Sequence, residues 1–374
     1  MTKTAIVFVD MLRHDWRGNR YCEKLRAHLS QFRHNYIFTN VFAESPDTPR
    51  SMSEFFTGIT SEKNGIDSRY KWPRYFLKND IDTLIALLAK DNCCVNLVID
   101  SFRLESGLFS DKDLAKVNKI TSWADFERQP DSRSVDADNS ITFFDITDFH
   151  TAVDLWRGTK NSWRGLQTVA DKVEKIVNLG FNDLIIFSDH GCLLTSDEQT
   201  HTNFGNIDNR HRIVFEYHSN TGDRKSVDTE NFMNMIDIHN IVKNFGRLPL
   251  EERFQNLPLD LNADKYMIIK DYSKGLNSFT PDIYRVVNRH IDLVISHKYI
   301  INMKTEQKII LTELLKYSDS DKLNEIIQYH IDQKARYDKF KSCLVAMEKL
   351  NLIQRISILL PRMKRIFEDY FRKI

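Results

Sequence analysis

Short apolar segments alternate with longer amphipathic ones over the first 248 residues, and this alternation limits the folds that the chain can adopt. Residues 5–9 form an unbroken apolar run, as expected of a strand buried on both faces of a sheet. Strands are also predicted at 36–42, 94–99, 141–146, 183–187 and 213–217, and helices at 21–32, 51–56, 80–88, 165–179 and 231–244. This order predicts an α/β fold with a mostly parallel central sheet and helices on both faces.

The pattern changes near residue 248. Residues 266–269 and 298–302 are short β-like segments, whereas residues 305–374 are charge-dense and predicted to be helical. We therefore expect a main domain at 1–248, a small C-terminal α+β subdomain packed on it at 249–325, and a helical extension at 326–374. Residues 110–138 are polar and lack strong periodicity, which predicts a surface excursion.

Composition limits the partners and the compartment. The formal net charge is +1, which argues against a protein that binds nucleic acid through a large positive field. The five cysteines fit neither a zinc ribbon nor a disulfide framework, so reduced thiols in the cytoplasm are expected. The N-terminal segment does not have the apolar run of a signal peptide, and no stretch approaches the ~20 apolar residues of a membrane span. We predict a cytoplasmic protein.

Residues that bind metals follow two of the predicted strands. Asp10 ends the first strand in VFVDMLRHDW, and Asp189 with His190 follows the strand 183–187 in SDHG. Open α/β sheets bind ligands at the carboxyl ends of their strands. Carboxylates and imidazole bind divalent cations, although each of these residues could instead be a helix cap or part of a polar turn.

Thr48 is a candidate nucleophile. It lies in the turn-rich segment AESPDTPR, just before a predicted helix. A hydroxyl at a helix N-terminus can approach an anion beside free backbone N–H groups, and a metal bound to it lowers its pKa. The alternative is that Thr48 is an ordinary N-cap residue.

Four further residues are candidates for substrate chemistry. His150 follows the strand 141–146 and could bind a substrate anion, ligate a second metal or protonate a leaving group. His201 lies in a polar loop that could fold back over the site. Arg13 and Arg50 could bind an anionic group, because guanidinium matches phosphate bidentately. Each of the four could equally be a surface or structural residue.

The order of these segments resembles the alkaline phosphatase-like superfamily, especially its sulfatases and its phosphoethanolamine and phosphoglycerol transferases. VFVDMLRHDW is similar to the family's first-strand segment, whose Asp binds a metal. SPDTPRSMSEFFTG resembles the segment that carries the nucleophile upstream of a Thr-Gly pair, which places the nucleophile at Thr48. SDHG is similar to a metal-binding segment. SHKYIINMKTEQKIILTELLKYSDSDKLNEII resembles the small C-terminal subdomain of sulfatases.

Two differences from sulfatases bear on the chemistry. Sulfatases have an oxidised cysteine at the nucleophile position, whereas no cysteine lies between Cys22 and Cys93 here. Sulfatases also begin with paired Asp residues, but Met11 follows Asp10. The resemblance therefore implies one metal site formed by Asp10, Thr48, Asp189 and His190, with Zn²⁺ or Mn²⁺ as the ion.

These observations predict a metal-dependent phosphotransferase, or a phosphodiester or phosphomonoester hydrolase, with Thr48 as nucleophile and His201 or His150 as general acid. Its substrate would be a small-molecule or glycan phosphoester, with transfer to a glycan precursor as one outcome. Two alternatives stay open, an inactive sulfatase-fold scaffold that binds partners and a sulfatase-like hydrolase of another ester. Residues 353–374 form an amphipathic basic stripe. Its apolar side would pack on protein, either within the chain or in a homo-oligomer. Alternatively, the stripe would lie on an anionic membrane surface.

Overall fold

A computed structural model describes residues 3–66, 77–78, 80–100, 109, 111–128, 139–195, 197, 207–221, 225–244, 267–271, 283–287, 292–296, 300–302 and 307–309. The chain forms two compact units, residues 1–308 and 309–374. All the described residues except Ile309 belong to the first unit. Within the described residues, no helix is long and apolar enough to cross a membrane.

The described strands form two sheets. The larger sheet contains β1 (Lys3–Val9), β2 (His34–Phe42), β3 (Cys94–Val98), β4 (Lys119–Thr121), β5 (Ser140–Ile146), β6 (Asp183–Phe187), β7 (Phe215–Ser219) and β8 (Lys225–Asn234) in the order β4-β3-β5-β1-β6-β7-β2-β8. The smaller sheet contains β9 (Met267–Asp271), β10 (Ile283–Val287), β11 (Asp292–Ser296), β12 (Ile300–Asn302) and β13 (Gln307–Ile309). In the larger sheet β7 is antiparallel to both its neighbours, and the other pairs are parallel. The predicted mostly parallel sheet is confirmed.

Helices cover both faces of the larger sheet. The described helices are α1 (Glu23–Leu29), α2 (Thr48–Thr57), α3 (Ser61–Asn64), α4 (Leu84–Lys90), α5 (Asp111–Leu114), α6 (Trp123–Arg128), α7 (Asp148–Leu155), α8 (Gly165–Val177), α9 (Ile207–His211) and α10 (Met235–Asn244). Side chains of β1 alternate between the two faces, as a strand requires. Ile6 and Phe8 pack with α2, α4 and α10, whereas Ala5, Val7 and Val9 pack with α1, α6, α7 and α8. The core therefore lies in two layers, one on each face of the sheet.

Helix α2 is held at both ends. The side chain of Asp47 caps its start by accepting a hydrogen bond from Arg50 N at 3.2 Å. The helix ends at Gly58, which has φ 65° and donates its N–H to Glu54 O at 2.8 Å. A left-handed residue after the last turn is a common helix end, and glycine adopts it without strain. A Cβ added to Gly58 would lie 2.7 Å from the ring of His239 in α10, so the two helices are closely packed at this point.

The helix predicted at 231–244 begins later than predicted. Residues 231–234 belong to β8 rather than to a helix, because Phe42 to Asn234 is the last pair of a register that joins β8 to β2. Helix α10 begins only at Met235, where Asn234 and Asp237 exchange backbone-to-side-chain hydrogen bonds of 2.9 and 3.0 Å.

The predicted surface excursion at 110–138 also differs. Its described part, residues 111–128, contains α5, β4 and α6, and it buries Trp123 and Phe126. These two side chains lie three positions apart on one face of α6 and pack against Phe144. Because the surrounding sequence is largely polar, it gave no sign of this buried face. Most of the predicted helical region 305–374 lies outside the described residues, but residues 307–309 form β13.

Substitution of Gly58 tests how α2 is positioned. We expect Gly58→Ala to lower the free energy of unfolding by about 2–3 kcal/mol, because it adds both left-handed strain and a contact with His239. Gly180→Ala is the matched control, since Gly180 has φ 73° but nothing within 4 Å of an added Cβ, and should cost about 1 kcal/mol. Gly18→Ala has neither problem and should be nearly neutral. The measurement is urea unfolding; equal losses for Gly58→Ala and Gly180→Ala would mean that His239 does not pack closely on α2.

Candidate metal centre

Three side chains converge at the carboxyl ends of β1 and β6. Asp10 follows β1, and Asp189 with His190 follows β6, and these two parallel strands pair in register up to Phe8 and Phe187. One ligand atom from each of the three residues lies within 4.8 Å of the other two. Their exposed fractions are 2 %, 0 % and 7 % for Asp10, Asp189 and His190. Two carboxylates and an imidazole gathered away from water suit a divalent cation.

The ring of His190 is oriented with its Nε2 towards this cluster. Its Nδ1 lies 2.7 Å from the carbonyl oxygen of Gly191, and since a carbonyl only accepts, Nδ1 carries the proton. Nε2 is therefore the ring nitrogen that faces the cluster, 3.4 Å from Asp189 Oδ2 and 4.0 Å from Asp10 Oδ1. Hydrogen bonding at one ring nitrogen that leaves the other for the ion is the usual arrangement of a metal-binding histidine. Met11 N donates to Asp189 Oδ1 at 3.2 Å and fixes that carboxylate.

Gly191 is required for the turn that carries His190. A Cβ at this position would lie 2.0 Å from the backbone oxygen of Asn209. Gly191 N also donates to Arg210 O at 2.7 Å. The segment SDHG thus ends in glycine because two backbones approach closely just beyond the histidine.

Thr48 lies beside the cluster, at the first residue of α2. Its Oγ1 is 3.3 Å from His190 Nε2 and 3.5 Å from Asp10 Oδ1. Asp47 supplies the N-cap, so the alternative interpretation of Thr48 as the cap is wrong. Thr48 is half-buried, which leaves its hydroxyl within reach of a substrate. The structure therefore brings together Asp10, Thr48, Asp189 and His190, the four residues predicted to form the site.

His150, the candidate acid that the structure describes, is not part of this cluster. It lies in α7, at the same edge of the sheet, and its Nδ1 is 3.3 Å from Asp154 Oδ2. The side chains of His150 and Asp154 are 29 % and 70 % exposed, so this is a surface contact. His201 lies outside the described residues. The catalytic roles of both histidines stay predictions.

Arg13 and Arg50 both neutralise carboxylates of the fold. Arg13 bonds Asp15 at 2.7 Å and Asp197 at 2.6 Å, and it is 4 % exposed. Arg50 is fully buried, with Nη1 2.5 Å from Asp47 Oδ2. Anion binding by either arginine stays a prediction, and their contacts show a second role in holding the loops around the site.

Cys192 lies two residues beyond His190 but does not compete with Thr48 as a nucleophile. The thiol is 3 % exposed, and burial raises its pKa to about 12. It is therefore protonated at neutral pH, and a protonated, buried thiol is unreactive.

An apolar pocket adjoins Thr48, and sequence reasoning missed it. Its lining includes Met52, Phe56 and Phe143, together with Asp145. Asp145 lies in β5, two residues after Phe143, and is 8 % exposed. Side chains two positions apart in a strand lie on the same face of the sheet. This alternation could have predicted that Asp145 shares a face with Phe143.

Comparison with known proteins identifies the fold. No family model and no curated protein matches the chain. A 2-O GAG sulfatase matches with a TM-score of 0.63 and 10% identity, over 90% of this chain and 94% of that one. A phosphonate monoester hydrolase from Silicibacter pomeroyi matches with a TM-score of 0.60 and 10% identity, over 89% of this chain and 96% of that one. A protein of the alkaline phosphatase superfamily from Vibrio parahaemolyticus matches with a TM-score of 0.57 and 12% identity, over 90% and 87%.

The fold is that of the alkaline phosphatase-like superfamily. The resemblance found in the sequence segments is thus confirmed at the level of the fold. In this alkaline phosphatase-like fold, the predicted ligands lie at the carboxyl edge of the parallel strands.

Metal binding at the cluster predicts a change in stability. Protein treated with chelator and repurified should unfold at a higher temperature once Zn²⁺ or Mn²⁺ is added, because the ion binds only the folded chain. At 100 times the dissociation constant the gain is about 2.7 kcal/mol. Asp189→Asn should lose most of this gain, whereas Asp154→Asn, an exposed carboxylate change, should keep it. An equal metal-induced shift in both variants would place the ion elsewhere.

Proposed function

We propose that this chain is a metal-dependent hydrolase or transferase that acts on phosphate or phosphonate esters, with Thr48 as its nucleophile. The observation that supports this best is the position of the Thr48 hydroxyl, 3.3 Å from His190 Nε2 and 3.5 Å from Asp10 Oδ1. A structural threonine at the first turn of a helix has no reason to lie against two ligand atoms of a metal centre. The fold likeness to a sulfatase and to a phosphonate monoester hydrolase supports ester cleavage of this general class.

Asp10, Asp189 and His190 would hold the ion, and Zn²⁺ or Mn²⁺ suits their mixed oxygen and nitrogen set. When bound, it would supply the positive charge that lowers the pKa of an adjacent hydroxyl and stabilises charge on the reacting group. Met11 N fixes the Asp189 carboxylate and Gly191 O fixes the His190 ring, so these two ligand groups are oriented in advance.

Thr48 would attack phosphorus through Oγ1 and release its proton to solvent, since a bound cation would lower the pKa of this hydroxyl. The bond from Thr48 to phosphorus forms as the bond from phosphorus to the leaving oxygen breaks, and that oxygen takes a proton from His201 or His150. The start of α2 carries a partial positive charge close to the equatorial oxygens. Water, or an acceptor hydroxyl such as that of a glycan precursor, then releases the group from Thr48.

A threonine at this position favours phosphoryl over sulfuryl chemistry, because the oxidised cysteine that the resemblance to sulfatases would require is absent from it. The proposal includes transfer of the phosphoryl group to a glycan precursor. It also includes a cytoplasmic location, with the protein bound peripherally at the membrane. The basic stripe at 353–374 lies outside the described residues, so its role rests on the sequence alone.

Replacement of Thr48 tests the nucleophile. Thr48→Ala should lower kcat by at least about 10³ on any phosphoester that the metal-loaded protein turns over, with little change in folding, because a half-buried first-turn residue costs little to truncate. Thr48→Ser should keep part of the activity, since it keeps the hydroxyl. Thr151→Ala, an exposed change in α7, is the control and should have no effect. Mass spectrometry of quenched protein should find the phosphoryl group on Thr48, and full activity of Thr48→Ala would refute its role.

Leaving-group dependence identifies the general acid. An alkyl alcohol needs a proton to depart, whereas 4-nitrophenolate departs without one, so loss of the acid harms alkyl esters more. We expect His201→Gln to lower kcat/KM by about 10²-fold or more on an alkyl ester and much less on a 4-nitrophenyl ester. His150→Gln serves as the comparison. The same selective loss in His150→Gln alone would transfer the role to His150, and its absence in both would remove either histidine from proton transfer.

A further inference from the structure

Helix α9 contacts both of the loops that lead to the candidate metal centre. Gly191, which follows the ligand His190, donates its N–H to Arg210 O at 2.7 Å. Ala43, in the loop before α2, donates its N–H to His211 O at 2.7 Å, and the ring Nδ1 of His211 lies 3.1 Å from Ala43 O. Two adjacent residues of one helix therefore hold the loop after β6 and the loop before α2.

The helix is too short to fix these loops by itself. It has five residues, Ile207–His211, and helices of this length are marginal in water without tertiary contacts. Its position therefore depends on the side chains that anchor it. The side chains of Asp208, Arg210 and His211 all reach the smaller sheet, which belongs to the same compact unit of the chain.

One carboxylate of the smaller sheet contacts both of the residues that hold the loops. Asp271, at the end of β9, accepts Arg210 Nη1 at 2.7 Å through Oδ1, and its Oδ2 lies 3.3 Å from His211 Nε2. Burial opposes charge on Asp271, but His211 and Arg210 lower its pKa below the ordinary value of an aspartate, so it is a carboxylate at neutral pH. A single buried anion thus anchors the last two residues of α9.

Strand β9 also bonds the loop before α2 through its backbone. Lys270 N donates to Glu44 O at 2.7 Å. This bond does not involve the side chain of Asp271, so the strand keeps a contact with the loop when that side chain is shortened. A substitution of Asp271 therefore acts on the link between the two loops more than on the attachment of the smaller sheet.

We infer that Asp271 is a positioning residue of the candidate metal centre, which holds the His190 loop and the Thr48 loop at a fixed separation through Arg210 and His211. Its effect on catalysis rests on the function proposed above. Thr48 Oγ1 and His190 Nε2 are 3.3 Å apart, and such groups must be held within about 0.5 Å of their productive positions. In this role Asp271 touches neither the ion nor the substrate.

Hydrogen exchange on the metal-free full chain tests the link without any turnover. In Asp271→Ala, the backbone amides of residues 43–48 and of residues 189–194 should both exchange at least about tenfold faster than in the wild-type protein, because α9 loses the anchor of its last two residues. Mass spectrometry of peptides from the two segments measures both rates in one experiment.

Asp183→Ala is the matched control. Asp183 is 1 % exposed against 4 % for Asp271, and it accepts hydrogen bonds from Tyr217 Oη at 2.7 Å and Ser219 Oγ at 2.6 Å. It begins β6, at the opposite edge of the larger sheet, so both segments should keep their wild-type rates. Faster exchange in only one segment of Asp271→Ala, or an equal increase in Asp183→Ala, would overturn the inference.

Metal affinity gives a second measurement. Calorimetry should show Zn²⁺ binding about tenfold more weakly to Asp271→Ala, the usual scale when a partner behind a metal ligand is lost. Asp271→Asn should recover most of the affinity, because its amide can bond both Arg210 and His211. Should Asp271→Ala not fold, Arg210→Met removes one of the two contacts at a side chain that is 20 % exposed, and it should weaken binding by a smaller factor. Unchanged affinity in the folded variants, or no Zn²⁺ binding by the wild-type protein, would overturn the inference.

Kinetics separates this inference from the proposed function. Where the wild-type protein turns over 4-nitrophenyl phosphate, Asp271→Ala should lower kcat at least about tenfold with little change in KM, because displaced groups slow the reaction more than they weaken binding. An unchanged kcat would overturn the inference. Faster exchange in both loops and weaker Zn²⁺ binding, without turnover of any phosphoester by the wild-type protein, would refute the proposed function and leave the role of Asp271 in the metal centre standing.

Discussion

Two carboxylates and an imidazole lie within 4.8 Å of one another in a part of the fold that water barely reaches, and the rest of the site depends on this arrangement. Asp10 and Asp189 are 2 % and 0 % exposed, so negative charge on the two carboxylates would be poorly screened by water. Met11 N donates to Asp189, Nε2 of His190 faces the cluster, and the hydroxyl of Thr48 lies beside it. A divalent cation bound among these groups would offset the repulsion between the carboxylates.

The loops that carry these ligands are tied to one another away from the ligands themselves. Ser188 Oγ donates to Leu12 O at 2.8 Å, which joins the exit of β6 to the exit of β1. Arg13 bonds Asp197 at 2.6 Å, and Asp197 accepts Leu194 N at 2.8 Å. Arg13 thus links the loop after β1 to the loop after β6, and anion binding by this arginine stays a prediction. Fixed loops hold ligand atoms in position before an ion arrives, which is the condition for a precise metal site.

Much of the fold and the four clustered residues of the candidate site could be predicted from the sequence, because those features are local. The buried strands β1 and β6 are short apolar runs, and Asp10, Asp189 and His190 follow them directly. The assignments that failed depend on distant partners. Strand β8 is largely polar and becomes a strand through its pairing with β2. The salt bridge between Arg13 and Asp197 was not predicted for the same reason, since the two residues lie 184 positions apart.

One helix supplies both the hydroxyl of the metal centre and a wall of the apolar pocket. Thr48, Met52 and Phe56 share a face of α2, so the position of the nucleophile and the shape of the pocket are set by the same rigid element. Helix α2 is in turn fixed by the Asp47 cap at its start and by the contact between Gly58 and His239 at its end. A change that shifts α2 along its axis would therefore move the Thr48 hydroxyl and the pocket wall together. Asp10, Asp189 and His190 follow β1 and β6 instead, so such a shift would change the distance between the Thr48 hydroxyl and the candidate metal ligands.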